Sequence, residues 1–439
     1  MRSFLRVRTL VAVTGMSTLL LMPVPAFAAE PGAIAVVDAA TDGTLGNGGV
    51  GGSDISDDGR YVAFASTSDN LVPGDSNENT DIFVRDTETG TTTLVSAGLG
   101  GQPANDGATY TAAISGNGRY VAFTSYASNL VAGDTNNERD VFVHDRQTGV
   151  TTLASAFAGG RQIRGSSSGA TISDNGRYTT FIVTSYSGDL DDQGLWLYGQ
   201  VAYVHDLQLG TTTRVSQQAD GGADLTVFEA VISGSGRRVA FSASGNWIGD
   251  GGTGSGIFVH DFSSGATVRA NLPAAESGFL GAANPSISRD GTKVSWESYE
   301  PYVAADTNTM LDVYVRDLIA DTTVLVSASR GSAGAGNSHS TSGRLAAGGR
   351  YVSFYSSASD LAPRDSNGMG SDVFLRDLTT GRTTAVSTTP AGATGNGDSS
   401  SAIPSLNGSR IVFSSRATDL GVDPGDGHEH LFVRCLRNC

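Results

Sequence analysis

From about residue 33 onward the chain consists of short apolar runs punctuated by Gly, Asp and Asn, and the runs recur. The first is Ile55-Ser56-Asp57-Asp58-Gly59-Arg60-Tyr61-Val62-Ala63-Phe64, in which a polar turn separates two apolar segments. The phrase returns at residues 114–123, 172–181, 232–241 and 287–296, with weaker copies ending at Phe354 and Phe413. The closing aromatics lie 59, 58, 60, 55, 58 and 59 residues apart. A near-constant period of this size is the signature of a repeat architecture. Each copy carries a second phrase, Asp81-Ile82-Phe83-Val84-Arg85-Asp86, echoed at 140–145, 202–206, 257–261, 312–317 and 372–377. A third phrase, Thr91-Thr92-Thr93-Leu94-Val95-Ser96, is echoed from Thr151, Thr211, Thr322 and Thr383. All are β-branched or aromatic and bounded by turn residues, which predicts strands.

With the segment before Ile55, each repeat supplies four strands, A to D. Seven four-stranded antiparallel blades around an axis make an all-β, seven-bladed β-propeller. The last repeat lacks a Thr-rich fourth strand, and residues 33–38 read as an orphan strand D. Pairing the two closes the ring and removes an open sheet edge. The Asp that ends each second phrase (Asp86, Asp145, Asp206, Asp261, Asp317, Asp377) reads as a turn former, because a hairpin Asp can bond the backbone N–H groups of its own turn.

The phrase Ser-x-x-Gly-Arg-Tyr-Val-Ala-Phe, followed by Asp-Val-Phe-Val-Arg-Asp and Thr-Gly-Thr-Thr, resembles the TolB-like (PD/WD-like) propeller repeat of secreted bacterial proteins. The likeness covers residues 33–439. It implies the fold and leaves function open, since propellers of this kind include protein-binding modules, propellers attached to peptidases and polysaccharide lyases.

Composition changes the picture in two ways. With 39% hydrophobic, 16% charged and 8% aromatic residues, the chain is neither disordered nor helical in character. A net charge of −16 argues against a nucleic-acid binder working through a basic surface. Residues 1–28 read as an export signal: Arg2, Arg6 and Arg8, an apolar stretch from Leu10 to Met22, and Ala26-Phe27-Ala28 as a cleavage site. Cleavage leaves residues 29–439 as a single propeller with net charge −19 (25 basic against 44 acidic residues) and no membrane span. The expectation is a monomer, secreted or in the cell envelope, whose partner is an extracellular or envelope protein or glycan. Export also permits a disulfide between Cys435 and Cys439.

No catalytic residue is assigned. Gly165-Ser166-Ser167-Ser168-Gly169 matches a hydrolase pattern but sits before a propeller strand, where no nucleophile elbow can form. The long B–C and D–A connections share one face of the disc, and variable loops on a rigid scaffold are where binding resides. On that face Trp196, Tyr198, Trp247, Tyr299 and Tyr302 fall in the B–C loops of three consecutive blades as a candidate ligand patch. The alternative is that each ring covers its own loop. The B–C loops also carry Asp75 and Asn77, Asp134 and Asn136, Asp306 and Asn308, and Asp365 and Asn367. Alternating side-chain oxygens resemble the start of a Ca²⁺ loop, although the sixth-position Gly is missing; an Asx turn would use the same residues. The reading is a non-enzymatic binding or scaffold propeller; the alternative is a secreted polysaccharide lyase or hydrolase, with or without a metal. Titratable side chains converging at the channel mouth would favour the enzyme, and a channel lined by Gly, Ser and Ala the binding module.

Overall fold

The computed structural model describes residues 30–186, 188, 190–191, 193–196, 199–216, 226–244, 255–271, 281–437 and 439. Seven four-stranded antiparallel sheets follow one another. Blade 1 consists of Val50–Ile55, Tyr61–Ser66, Asp81–Asp86 and Thr91–Leu94, hydrogen-bonded in that order as strands A to D. Blades 2 to 6 repeat the pattern, and an extra two-stranded hairpin, Ala156–Phe157 with Arg161–Gln162, follows blade 2.

The A–B turn shows why the sequence folds this way locally. Gly59 takes φ +76°, Ser56 Oγ donates to Asp58 Oδ1 at 2.6 Å, and Tyr61 N donates back to Ser56 Oγ at 2.9 Å. At the C–D turn Asp86 Oδ1 accepts from Glu88 N, while Asp86 Oδ2 accepts from Arg60 Nη2 at 2.8 Å. The recurring Asp therefore shapes its hairpin and ties it to the neighbouring turn. Arg119–Asp145, Arg177–Asp206 and Arg350–Asp377 repeat the pair.

The apolar core lies between blades. Each blade stacks its strand-B aromatic on a strand-C aromatic, as in Phe64–Phe83 at 5.7 Å and Trp296–Tyr314 at 5.9 Å. One buried cluster fills each interface; the cluster containing Val37, Phe64 and Val433 joins blades 7 and 1.

Blade 7 takes three strands from one part of the chain and its fourth from another. Ile34–Val36 pairs antiparallel with His430–Cys435, Ile34 opposite Arg434 and Val36 opposite Phe432. This is the ring closure expected for residues 33–38. Arg410 of blade 7 reinforces it by donating to Gly59 O (2.9 Å) and Thr87 Oγ1 (3.1 Å) of blade 1. A disulfide joins Cys435 to Cys439. Among the described residues no helix is long and apolar enough to cross a membrane.

Candidate functional site

Strand A of every blade faces the axis, and together the seven enclose a cavity of about 470 Å³. In each blade a register shift interrupts the A–B ladder, for instance between Gly51 and Asp54 and between Thr341 and Arg344. Bulges next to a binding cavity re-aim side chains. The next-to-last residue of strand A is Asp54, Ala113, Thr171, Val231, Ser286, Arg344 and Ile403 in blades 1 to 7, and all seven line the cavity.

The two ends of this channel differ. At the A–B end Arg289 of blade 5 crosses to blades 1 and 3, its Nη2 3.1 Å from Asp57 and its Nε 2.5 Å from Asp174. Space for that crossing comes from Gly116 and Gly234, where a Cβ would stand 2.5 Å from Asp57 and 2.1 Å from Asp174. At the opposite end, among the D–A and B–C loops, Tyr110 and Phe228 line the cavity with half of each residue exposed, 51% in both cases.

Between these ends lie Asp54, Glu229 and Arg344. Asp54 accepts the backbone N–H of Ile55 and of Ile114 on the next blade, each at 2.8 Å. Burial pushes its carboxyl up to about 6 despite those bonds and the charge of Arg344. Glu229 Oε2 accepts from Asn284 N at 2.7 Å, and burial raises that carboxyl too. Both acids are thus engaged with backbone. The Arg344 guanidinium makes no hydrogen bond or ion pair among the described residues, although it is near enough to act on Asp54 and Glu229. The chemistry on offer is cationic recognition of an anion, framed by two aromatic rings.

None of these side chains was singled out in the sequence. Their signal is the variation within strand A, where a small-residue pattern admits Asp, Glu, Arg and two aromatics. The channel consequently departs from a plain Gly, Ser and Ala lining.

The predicted aromatic patch divides. Trp196 is 65% exposed, and Tyr299 is exposed with its ring edge-on to His339. Tyr302 does not belong to a surface patch. It is 7% exposed, accepts a hydrogen bond from Asn271 Nδ2 at 2.9 Å, and packs edge-on against Trp296 and Tyr314. Its ring covers the loop from within, because an amphipathic phenol with a buried partner gains more inside than outside. Tyr198 and Trp247 lie outside the described residues.

In three of the four Asp-x-Asn loops the amide acts as a loop tie. Asn77 Nδ2 donates to Ala104 O, Asn136 Nδ2 to Ile163 O and Asn308 Nδ2 to Gly336 O. Asp134 accepts from Gln162 Nε2, Asp306 from Tyr314 Oη, and Asp365 from the N–H groups of Asn367 and Gly368. Among the described residues no three His, Cys, Asp or Glu side chains form a metal-holding group. The Gly165–Gly169 serine pattern lies at and before strand A of blade 3, Ser166–Ile172, which runs into a hairpin.

No protein-family model matches the chain, and no curated protein does. Solved structures do resemble it. An oligogalacturonate lyase from Vibrio parahaemolyticus aligns with 11% identity and a TM-score of 0.54, covering 92% of this chain and 94% of that one. The β-propeller domain of the Trilobed protease from Pyrococcus furiosus aligns with 10% identity and a TM-score of 0.53, covering 88% and 95%. TolB from Acinetobacter baumannii aligns with 15% identity and a TM-score of 0.43 over 75% of this chain, which spans 63% of TolB's length. At these identities the likeness is one of fold: this chain is a seven-bladed β-propeller.

Proposed function

We propose that the protein is an exported, non-enzymatic binding propeller that holds a carboxylate-bearing ligand, a glycan uronate or a peptide terminus, in the axial cavity opening on its B–C/D–A face. The observation that supports this is Arg344, a half-buried guanidinium that lines the open axial cavity and has no protein partner among the described residues. Its charge is left for a ligand to meet, and its planar fork suits a carboxylate. Tyr110 and Phe228 supply rigid contact surfaces at the entrance. Asp54 and Glu229 support Arg344 electrostatically; both Asp54 oxygens and Glu229 Oε2 accept backbone N–H groups, which leaves Asp54 poorly placed as a general acid or base.

Calorimetric titration with an oligouronate and its neutral counterpart, and with a peptide bearing a free or an amidated C-terminus, tests the reading. Binding is expected to require the carboxylate. Replacing Arg344→Gln should weaken it roughly tenfold to a hundredfold, the range for a charged hydrogen bond, without lowering the melting temperature. Equal binding of charged and neutral partners, or undiminished binding by the variant, overturns it. Conversion of the oligouronate to product would instead favour a lyase or hydrolase.

A further inference from the structure

Strand C opens with an Asp in four blades: Asp81, Asp140, Asp312 and Asp372. All four are buried, Asp81, Asp140 and Asp312 to 1% exposure or less. In each, Oδ1 accepts from a serine hydroxyl at the end of the same blade: Ser96, Ser155, Ser327 and Ser387, at 2.5–2.8 Å. The other oxygen, Oδ2, is buried outside hydrogen-bond geometry in Asp81, Asp140 and Asp312, while the side chains of Asn77, Asn136 and Asn308 lie near enough to act on these carboxylates. In blade 6 both amide atoms of Asn367 are buried outside hydrogen-bond geometry, although the side chain lies near enough to Asp372 to act on its carboxylate. A second carboxylate lies close in every case, since Asp75, Asp134, Asp306 and Asp365 each act on the charge of the strand-C Asp. None of these eight carboxylates forms a salt bridge among the described residues.

The other three blades show what the arrangement lacks. In blade 7 the strand-C position is His430, its Nδ1 2.8 Å from Asp38 Oδ2 and its Nε2 3.0 Å from Asp426 Oδ2. Two acids there share a side-chain cation. In blade 3 the strand-C Asp is replaced by Val201, and the loop acid Asp191 meets Arg214 Nη1 at 3.4 Å with both side chains buried. In blade 4 Gly256 takes the strand-C position and Arg269 the strand-D position of Arg214. Where strand C opens with an Asp beside the loop Asp, then, no internal cation accompanies them among the described residues; where a cation is present, the strand-C Asp is gone.

We infer that the B–C loops of blades 1, 2, 5 and 6 each bind a Ca²⁺ ion between the strand-C Asp and the loop Asp-x-Asn. Hard oxygen ligands suit Ca²⁺, which takes roughly six to eight of them from carboxylates, amide and backbone carbonyls and water. Two carboxylates and an amide per loop make a mixed set of this kind, distinct from a cluster of three or more charged ligands. Burying a carboxylate oxygen with no partner is unfavourable, and a bound cation removes that penalty.

Titration of the chelator-stripped full chain with CaCl₂, followed by calorimetry and by melting curves, tests this. The expected result is uptake of four equivalents of Ca²⁺ and a rise in melting temperature over chelator, with MgCl₂ giving much less. Asp140→Asn should lose one equivalent, yet melt in chelator at or above the parent protein because a buried unpaired charge has been removed. That opposite response in the two media separates a cation site from a turn. Superimposable melting curves in chelator and in millimolar Ca²⁺ with no binding heat, or an Asp140→Asn variant that keeps all its Ca²⁺, overturns the proposal.

Discussion

Strand C and strand A meet the same seven-fold environment and answer it in opposite ways. Just before the turn Asp, strand C carries Arg85, His144, His205, His260, Arg316, Arg376 and Arg434. Six of these do one job: Arg85, Arg316 and Arg376 donate to Thr92, Thr323 and Thr383, and His144, His205 and His260 pair with Thr151, Thr212 and Thr267. The corresponding strand-A position carries seven different residues, from Ile403 to Asp54 and Arg344. Repetition follows packing, because each blade interface offers the same neighbours. An axial site cannot be built by repetition, since seven copies of one charge would be forced together. A charged site on the axis has to come from departures.

Strand C breaks its own pattern where the ring closes, and there the largest effect is expected. His430 lies between Asp38, carried by the chain entering from the N-terminal side, and Asp426. Those two carboxylates raise the imidazole from its usual value to about 9, Asp38 foremost. A raised folded-state pKa contributes stability that is complete below the unfolded value of about 6.5 and is lost as pH rises through about 9, and burial of the Asp38 carboxyl, which raises it too, offsets part of that contribution. Asp38→Ala leaves the imidazolium buried without its main partner and should cost about 3 kcal/mol or more. Asp38→Asn should flatten the pH dependence of unfolding between those values. Urea unfolding of either variant that tracks the parent protein would show that closure does not depend on this pair.

A smaller effect should appear in strand A as a pH dependence of ligand binding rather than of folding. Asp54, held near 6 by burial, and Glu229, raised for the same reason, both face the cavity that holds Arg344. As pH falls through about 6 they lose charge and stop competing with an anionic ligand. Affinity for a carboxylate should therefore fall as pH rises from about 5 to 7, by roughly tenfold per kilocalorie-and-a-half of lost attraction. Calorimetry at a series of pH values checks this; a flat profile would show that neither acid senses the ligand.

The same contrast explains what was legible in the sequence. Phe64, Phe123 and their counterparts repeat because each stacks on its own blade's strand C, so period, blade number and ring closure could be read directly. Asp54, Glu229 and Arg344 read as decay of the repeat, because none of them recurs at its position in another blade and the bulges that aim strand A carry no common residue: positive φ falls on Gly52 and Gly169 but also on Asn284, Ser342 and Ser401. Loop aromatics gave partial information: Trp196 is exposed, but Tyr302 turns inward to Asn271, a partner 31 residues away that no local pattern announces.

The smallest expected effect probes strand C where it is most regular. If the position before the turn Asp requires only a donor for the strand-D Thr, Arg and His are interchangeable between blades. Arg376 Nη1 donates to Thr383 Oγ1 at 2.9 Å, while its Nε is buried without a partner and burial lowers the guanidinium's pKa. His144 makes the equivalent bond to Thr151 at 3.0 Å, with burial favouring its neutral form. Exchanging Arg376→His keeps the bond, removes a half-satisfied buried charge and gives up some aliphatic packing, so stability should change by less than ~1 kcal/mol in either direction. Thr383→Val, which deletes the shared acceptor, should cost about 1 kcal/mol alone. It should cost no more when combined with Arg376→His than the two changes summed, if the histidine simply reproduces the arginine's bond. A loss beyond ~2 kcal/mol for Arg376→His by itself would mean that each blade fits its own residue, and that uniformity in strand C reflects more than one repeated packing environment.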